Sequence, residues 1–294
     1  MILFLGDTHG DRLLFRVLEK AHKQGITDVI QTGDFGIHWP TGRPCPYYQY
    51  FQKRDVIKPR PGPRVYTCGG NHDAYHKIEE LIERGQCDGN QVYYTPRCSF
   101  VHRGSILNIQ GLNIMFLGGA ESSDCNPTIP NEWEVTGGHP GRAQYPEPWK
   151  TKRAQAKRQY RAAPGAWWEQ ESITAEDIQR AETTLRKQSA DIWVTHDGPT
   201  RARPHRVGGY ATPSGVIVGN SAVLLDELYE RTKIKPTHWF YGHHHKDTRL
   251  LDTATRFYCC GIVETNWHLH NRTAVNGYVL DPKTWMVQAW SVHG

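Results

Sequence analysis

The chain has 294 residues, with 35 Lys and Arg against 30 Asp and Glu, a formal charge of +5 with histidine neutral. At 38% hydrophobic and 22% charged residues it can bury a sizeable core, which excludes the disordered class, and no stretch reaches the roughly 20 apolar residues of a membrane span. Seven cysteines without a C-x-x-C pair speak against a disulfide framework or a thiolate zinc site and lead us to expect a reducing, cytoplasmic setting.

Ile2–Leu5 reads as a buried strand, although the run lacks the basic leader and small-residue cleavage site of a secretory signal. Leu13, Leu14, Val17, Leu18 and Ala21 then recur at helical spacing, and Asp28–Gln31 is a second strand. A polar passage holding Pro40, Pro44, Pro46, Pro59, Pro61 and Pro63 reads as loop. It leads to a third strand, Arg64–Cys68, and a helix from about Asp73 to Arg84. Val92–Tyr94, Ser99–Val101, Ser105–Ile109 and Asn113–Leu117 follow as short hairpin-linked strands. This alternation is that of βαβ units in a sheet covered by helices.

Between Asp124 and Gly165 the periodicity is lost among Pro, Gly and Trp, so we expect an irregular insertion at about 121–170 rather than a domain. Thr174 and Asp177 have the spacing of a capping box before a helix to about Gln188. Ile192–Thr195 is the next strand and Val218–Arg231 the next helix. His238–Tyr241, Thr248–Leu251, Arg256–Cys260, Gly277–Leu280 and Met286–Ser291 close the chain as strands.

Five strands end in clusters of residues of metal-ligand type. The first runs into Gly6-Asp7-Thr8-His9-Gly10, the second into Gly33-Asp34-Phe35-Gly36, and the third into Gly69-Gly70-Asn71-His72-Asp73. The strand near 192 ends at His196-Asp197, and that near 238 at Gly242-His243-His244-His245. Carboxyl ends of parallel strands meet in one crevice, so clusters far apart in sequence can converge there. Carboxylate, amide oxygen and imidazole without thiolate suit Mn, Fe or Zn. Two such ions about 3.5–4 Å apart, bridged by one carboxylate, would polarise a phosphate and generate hydroxide.

The order D-x-H, G-D, G-N-H-D, H and G-H-x-H resembles the calcineurin-like metallophosphoesterase superfamily, from residue 6 to residue 245. Gly118-Gly119-Ala120 with Ser122, Ser123 and Asp124, followed by Trp167-Trp168-Glu169, resembles a bacterial and phage-type branch. The resemblance implies an α/β fold, a four-layer α/β/β/α sandwich of two facing mixed sheets flanked by helices. We expect a single domain over residues 1–294 that carries the insertion. Two divalent ions are implied, Mn first and Fe or Zn next. Asp7, His9 and His245 correspond to the holders of one, Asn71, His196 and His243 to those of the other, and Asp34 to the bridge.

His72 falls where the family keeps a general acid or phosphate-contacting histidine. Many members follow G-D three residues on with a second Asp that orients this histidine, whereas this chain has Ile37 there and then His38. His38 and His244 are expected to contact substrate. The activity implied is hydrolysis of phosphate esters, first as a phosphomonoesterase, because Gly6-Asp7-Thr8-His9-Gly10 also resembles the opening of serine/threonine phosphatases. A phosphodiesterase or nuclease and a non-catalytic scaffold of the same fold are the alternatives. A phosphate-ester substrate is the expected partner, without a membrane.

Structural roles compete with some of these readings. Asp73 has the identity of an N-cap for the helix after it, and Asn71 can ligate only if its side-chain oxygen points into the crevice. In a strand-end loop alternate residues face one way, which leaves His244 outward or toward substrate. His22, His76, His102, His139, His205, His238, His268 and His270 match no motif position and are read as surface or core residues. Trp167 and Trp168 read as a packing anchor. Lys150, Lys152, Arg153, Lys157, Arg158 and Arg161 read as a solvated surface, with a nucleic-acid path as the less favoured reading.

Overall fold

The structure is a computed structural model that describes residues 1–37, 46–121, 169–203, 220–262 and 274–293. The layering can be followed from β1 (Ile2–Leu5), whose four residues are all fully buried. Side chains alternate across a strand. Ile2 and Phe4 therefore enter a core between two sheets, and Leu3 and Leu5 a core between the first sheet and its helices.

The first sheet has seven strands in the order β13 (Val287–His293), β12 (Ala274–Leu280), β1, β2 (Asp28–Gln31), β3 (Arg64–Thr67), β5 (Cys98–Val101) and β4 (Gln91–Thr95). β1, β2, β3 and β5 are parallel, and β12 pairs antiparallel with β1. The second sheet has six strands in the order β10 (Thr248–Leu251), β11 (Arg256–Cys259), β9 (His238–Tyr241), β8 (Ile192–Thr195), β7 (Leu112–Leu117) and β6 (Ser105–Ile109). There β11, β9, β8 and β7 are parallel and the two edge strands antiparallel. Parallel strands covered on both faces read as continuous apolar runs, which explains Ile2–Leu5 and Ile192–Thr195.

Between the sheets Phe4 stacks on Phe240 with ring centroids 3.7 Å apart. Outside the first sheet lie α1 (Leu13–Lys23), α2 (Pro46–Gln52) and α3 (Tyr75–Glu83), which bury Leu14, Val17, Leu18, Tyr47, Phe51, Ile78 and Leu81. Outside the second lie α4 (Ala175–Lys187) and α5 (Asn220–Arg231), whose Ile178, Ala181, Leu225 and Leu228 cover Trp193 and Trp239. The fold is thus the expected α/β sandwich of two mixed sheets with flanking helices. Among the described residues no helix is long and apolar enough to cross a membrane.

Two differences from the sequence reading have physical reasons. The proline passage contains α2, because Pro is tolerated in a first helical turn and Tyr47 and Phe51, four residues apart, are both fully buried. A π-helical turn at Lys53–Ile57 continues it and buries Arg54 and Asp55. Asp73 is not an N-cap: α3 begins at Tyr75 after Ala74, with no side-chain cap, because the Asp73 carboxylate is engaged elsewhere. The Thr174–Asp177 capping box is present, with Asp177 N–H donating to Thr174 Oγ1 at 3.2 Å and Thr174 N–H to Asp177 Oδ2 at 3.1 Å. Nearly all of the expected insertion, with Trp167, Trp168 and the basic Lys150–Arg161 segment, lies outside the described residues, as do His38, His139, His205, His268 and His270.

Candidate metal centre

β1, β2 and β3 of the first sheet and β8 and β9 of the second end on one side of the molecule, and their loops interlock there. The N–H groups of Thr8 and His9 donate to the Asp34 carbonyl at 3.1 and 2.8 Å, and Gly242 N–H donates to the His196 carbonyl at 2.9 Å. Four non-glycine residues of these loops have left-handed backbones: His9 (φ 43°), Asp34 (φ 54°), His243 (φ 65°) and His245 (φ 54°). Such conformations cost free energy for residues with a Cβ and concentrate at functional sites, where surrounding contacts enforce them. Two glycines make room for the carboxylates. A Cβ at Gly70 would collide with the Asp34 side chain, and one at Gly242 with that of Asp7.

Two groups of ligand-type atoms result. In the first, Asp7 is fully buried and its Oδ1 accepts the His243 N–H at 2.9 Å. Its Oδ2 lies 2.9 Å from His245 Nε2. His9 Nε2 is 3.3 Å from His245 Nε2 and 3.9 Å from Asp7 Oδ2. In the second group Asn71 Oδ1 points into the crevice, 3.0 Å from His196 Nε2 and 3.0 Å from His243 Nδ1. Thr32 carbonyl oxygen, which can only accept, lies 2.8 Å from His196 Nδ1. That contact assigns the proton to Nδ1 and turns Nε2 toward the crevice.

Asp34 stands between the groups. Its Oδ1 is 3.4 Å from His196 Nε2, and its Oδ2 is 3.9 Å from His9 Nε2. The ligand atoms of Asp7, His9 and His245, and those of Asp7, Asp34 and His196, each lie within 4.8 Å of one another. His72 donates its backbone N–H to Asp34 Oδ1 at 2.7 Å, and its ring centroid is 5.6 Å from that of His9. All seven residues matched to the family's ligand positions, and His72, are therefore brought together.

The electrostatics favour a cation. Burial alone would raise the Asp7 and Asp34 carboxyls, but facing histidines, His196 foremost, outweigh it and hold both below the usual carboxylate range. Burial would likewise lower His196, but Asp34 and Asp7 raise it to about 10. Burial lowers His243 to about 4. Without an ion a protonated His196 partly balances the two buried carboxylates, and a cation held there would take the place of its Nε2 proton, beside the Asn71 amide oxygen and His243 Nδ1. These oxygen and nitrogen donors fit Mn, Fe or Zn. The neighbouring Cys259 and Cys260 thiols are buried and pushed up, so they supply no thiolate.

The residues around these groups divide the supporting work. Asp73 Oδ1 accepts the Gly36 N–H at 3.0 Å and Oδ2 the Gly70 N–H at 2.9 Å, which pins the second and third loops together. Burial, then Asp34, raises its carboxyl to about 6. Ile37, where relatives keep the second Asp, is buried in the helix-facing core. His244 does alternate with its neighbours, but it turns inward, with Nε2 3.2 Å from Asp197 Oδ1. His238, unmatched by motif, is a core residue among Phe240, Tyr258 and Trp285.

A family model described as calcineurin-like phosphoesterase matches residues 1–247. No curated protein matches the chain. Among solved structures it is similar to an archaeal phosphodiesterase, with 11% identity over 99% of each chain and a TM-score of 0.42. A provisional 5′-nucleotidase from Staphylococcus aureus, solved with α-ketoglutarate, has 13% identity over 99% of this chain and 53% of that one, at a TM-score of 0.44. The present chain thus spans about half of that protein's length. Phosphopantetheinyl hydrolase from Mycobacterium tuberculosis has 14% identity over 89% of each chain and a TM-score of 0.39.

Proposed function

The chain belongs to the calcineurin-like phosphoesterase family of metal-dependent phosphate-ester hydrolases, and on that premise we propose that it is a phosphomonoesterase working through a dinuclear centre. Asp7, His9 and His245 would hold one ion, Asn71, His196 and His243 the other, and Asp34 would bridge them. The observation that carries this reading is the position of Asp34, one oxygen toward His196 and the other toward His9. When bound, the ions supply positive charge to the phosphoryl oxygens and lower the pKa of water.

The chain's own residues then have distinct tasks. Thr32 carbonyl oxygen keeps the His196 proton on Nδ1, so Nε2 can ligate. His72 would protonate the departing oxygen or hold a phosphoryl oxygen, its position set by the bond from its N–H to Asp34. His9 and His245 are partly exposed beside it. The positive charge of two ions with His72 beside them would suit the dianionic group of a monoester better than the monoanionic group of a diester. Substrate contacts at His38 and His244, manganese as the native ion, a cytoplasmic location and a single domain over the whole chain belong to the same proposal. Resemblance of the Gly6–Gly10 segment to serine/threonine phosphatases supports a phosphoprotein substrate.

The second reading is a phosphodiesterase or nuclease, favoured by the basic residues between Lys150 and Arg161. A scaffold reading falls away, since family membership comes with a complete constellation of ligand-type residues. Parallel assays of p-nitrophenyl phosphate and bis-p-nitrophenyl phosphate, with Mn, Fe and Zn varied, separate the two. Faster turnover of the monoester is expected, and a clear preference for the diester would replace the proposal with the second reading.

A further inference from the structure

Asp197 follows His196 directly, is 1% exposed, and takes no place among the ligand-type atoms. Three segments meet on it. Oδ1 accepts the Gly198 N–H at 2.8 Å and lies 3.2 Å from His244 Nε2, while Oδ2 pairs with the Arg203 guanidinium. Its N–H donates to the Gly119 carbonyl at 3.3 Å, and its own carbonyl accepts the Thr195 hydroxyl at 2.6 Å. A buried carboxylate without partners would be costly, and here every bond leads to a loop beside the crevice.

His244 sits at the centre of the most strained of those loops. The residues on either side, His243 and His245, both have left-handed backbones, and they send their rings to different groups of ligand-type atoms. A loop with two such residues needs an anchor between them. The His244 ring packs edge-on against Tyr241 and His243, at 6.0 and 5.3 Å between centroids, and its Nε2 lies 3.2 Å from Asp197 Oδ1, within ion-pair range though not aligned as a hydrogen bond. One carboxylate thus links the loop carrying His243 and His245 to the segment carrying His196.

We propose that Asp197 is a positioning residue which, by holding His244 and Arg203, locks the 242–245 loop against the 196–198 segment. The lock presents the nitrogens of His196, His243 and His245 to the dinuclear centre at fixed separations. The inference rests on the dinuclear reading above. Partners that orient metal ligands from behind change metal affinity by roughly 10–100-fold when removed.

The test is Mn²⁺ binding by the full chain, stripped by chelator and dialysed, for wild type, Asp197→Asn, His244→Gln and the double variant, with Tm and steady-state kinetics for each. Each single variant is expected to weaken Mn²⁺ affinity by roughly 10–100-fold. The double variant should be no weaker than the worse single one, because both remove one contact. Affinities within about twofold of wild type, or losses that multiply in the double variant, would overturn the proposal. So would a His244→Gln protein with a raised KM at saturating metal and unchanged metal affinity, since contact with substrate would then be the whole of its role. If Asp197→Asn does not fold, His244→Gln decides by the same affinity criterion. A wild type that binds no Mn²⁺ overturns the dinuclear reading itself, whereas variants that match a metal-binding wild type overturn only the positioning role.

Discussion

The backbone N–H of His72 donates to Asp34 Oδ1 at 2.7 Å, so the candidate general acid and the candidate bridging carboxylate share one hydrogen bond. Asp34 is itself left-handed at φ 54° and buried, and a Cβ at Gly70 would occupy the space its carboxylate takes. The third loop therefore sets the position of both groups at once.

Asp34→Asn is expected to lower metal content and activity more than Asp7→Asn. Asp34 faces both groups of ligand-type atoms, so its loss weakens both ions, and a fall in kcat on the order of 10³-fold is expected. Metal analysis and steady-state kinetics on the two variants check the order. Equal losses of metal would contradict the bridging assignment.

His72→Ala should retain its metal while kcat falls by roughly 10²–10⁴-fold, the range for a positioned acid. Its backbone N–H bonds to Asp34, and that bond survives the substitution. A variant that loses metal as severely as Asp34→Asn would show that the His72 side chain belongs with the ligands.

Gly70→Ala tests the space beside Asp34. The added Cβ would meet the Asp34 carboxylate and backbone nitrogen, so the carboxylate must move. We expect metal affinity to drop by at least roughly tenfold, while the far-UV spectrum and the cooperativity of unfolding are kept. Unchanged affinity would mean the loop relaxes without disturbing the centre.

His238 supplies a pH test remote from the metal. It is fully buried, neither ring nitrogen has a hydrogen-bond partner among the described residues, and burial, then the Arg256 charge, lowers it to about 4 from an ordinary 6.5. Its neutral form is the one that suits the fold. The unfolded chain takes up a proton first as pH falls, so stability present in full above pH 6.5 is lost progressively toward pH 4. His238→Phe should fit among Phe240, Tyr258 and Trp285 and remove this component. Thermal melts should show wild type losing roughly 5 °C more than the variant between pH 7 and pH 4.5. Parallel curves would contradict the assignment.

What the sequence made legible follows the physics of each element. Buried parallel strands are short apolar runs, so β1, β2 and β8 have the bounds read from sequence. Strand ends bring Asp7, Asp34, Asn71, His196 and His243 together because parallel strands finish on one side. α2 was hidden by its prolines, although Tyr47 and Phe51 carried the helical spacing. Asp73 looks like a cap because a cap and a loop clamp use the same residue type, and only tertiary contacts with Gly36 and Gly70 distinguish them. The inward turn of His244 could not be read either, since alternation gives a direction and not a partner. The conjunction His196-Asp197 with His243-His244-His245 was a signal that a further carboxylate, besides Asp7 and Asp34, stood near the histidines.

The most direct test of the dinuclear centre is the electron paramagnetic resonance spectrum of the metal-free protein reconstituted with two equivalents of Mn²⁺. Two ions about 3.5–4 Å apart and bridged by Asp34 should give the multiline signal of an exchange-coupled pair, which Asp34→Asn should abolish. A spectrum of isolated six-line Mn²⁺ only, saturating at one equivalent, would contradict the account.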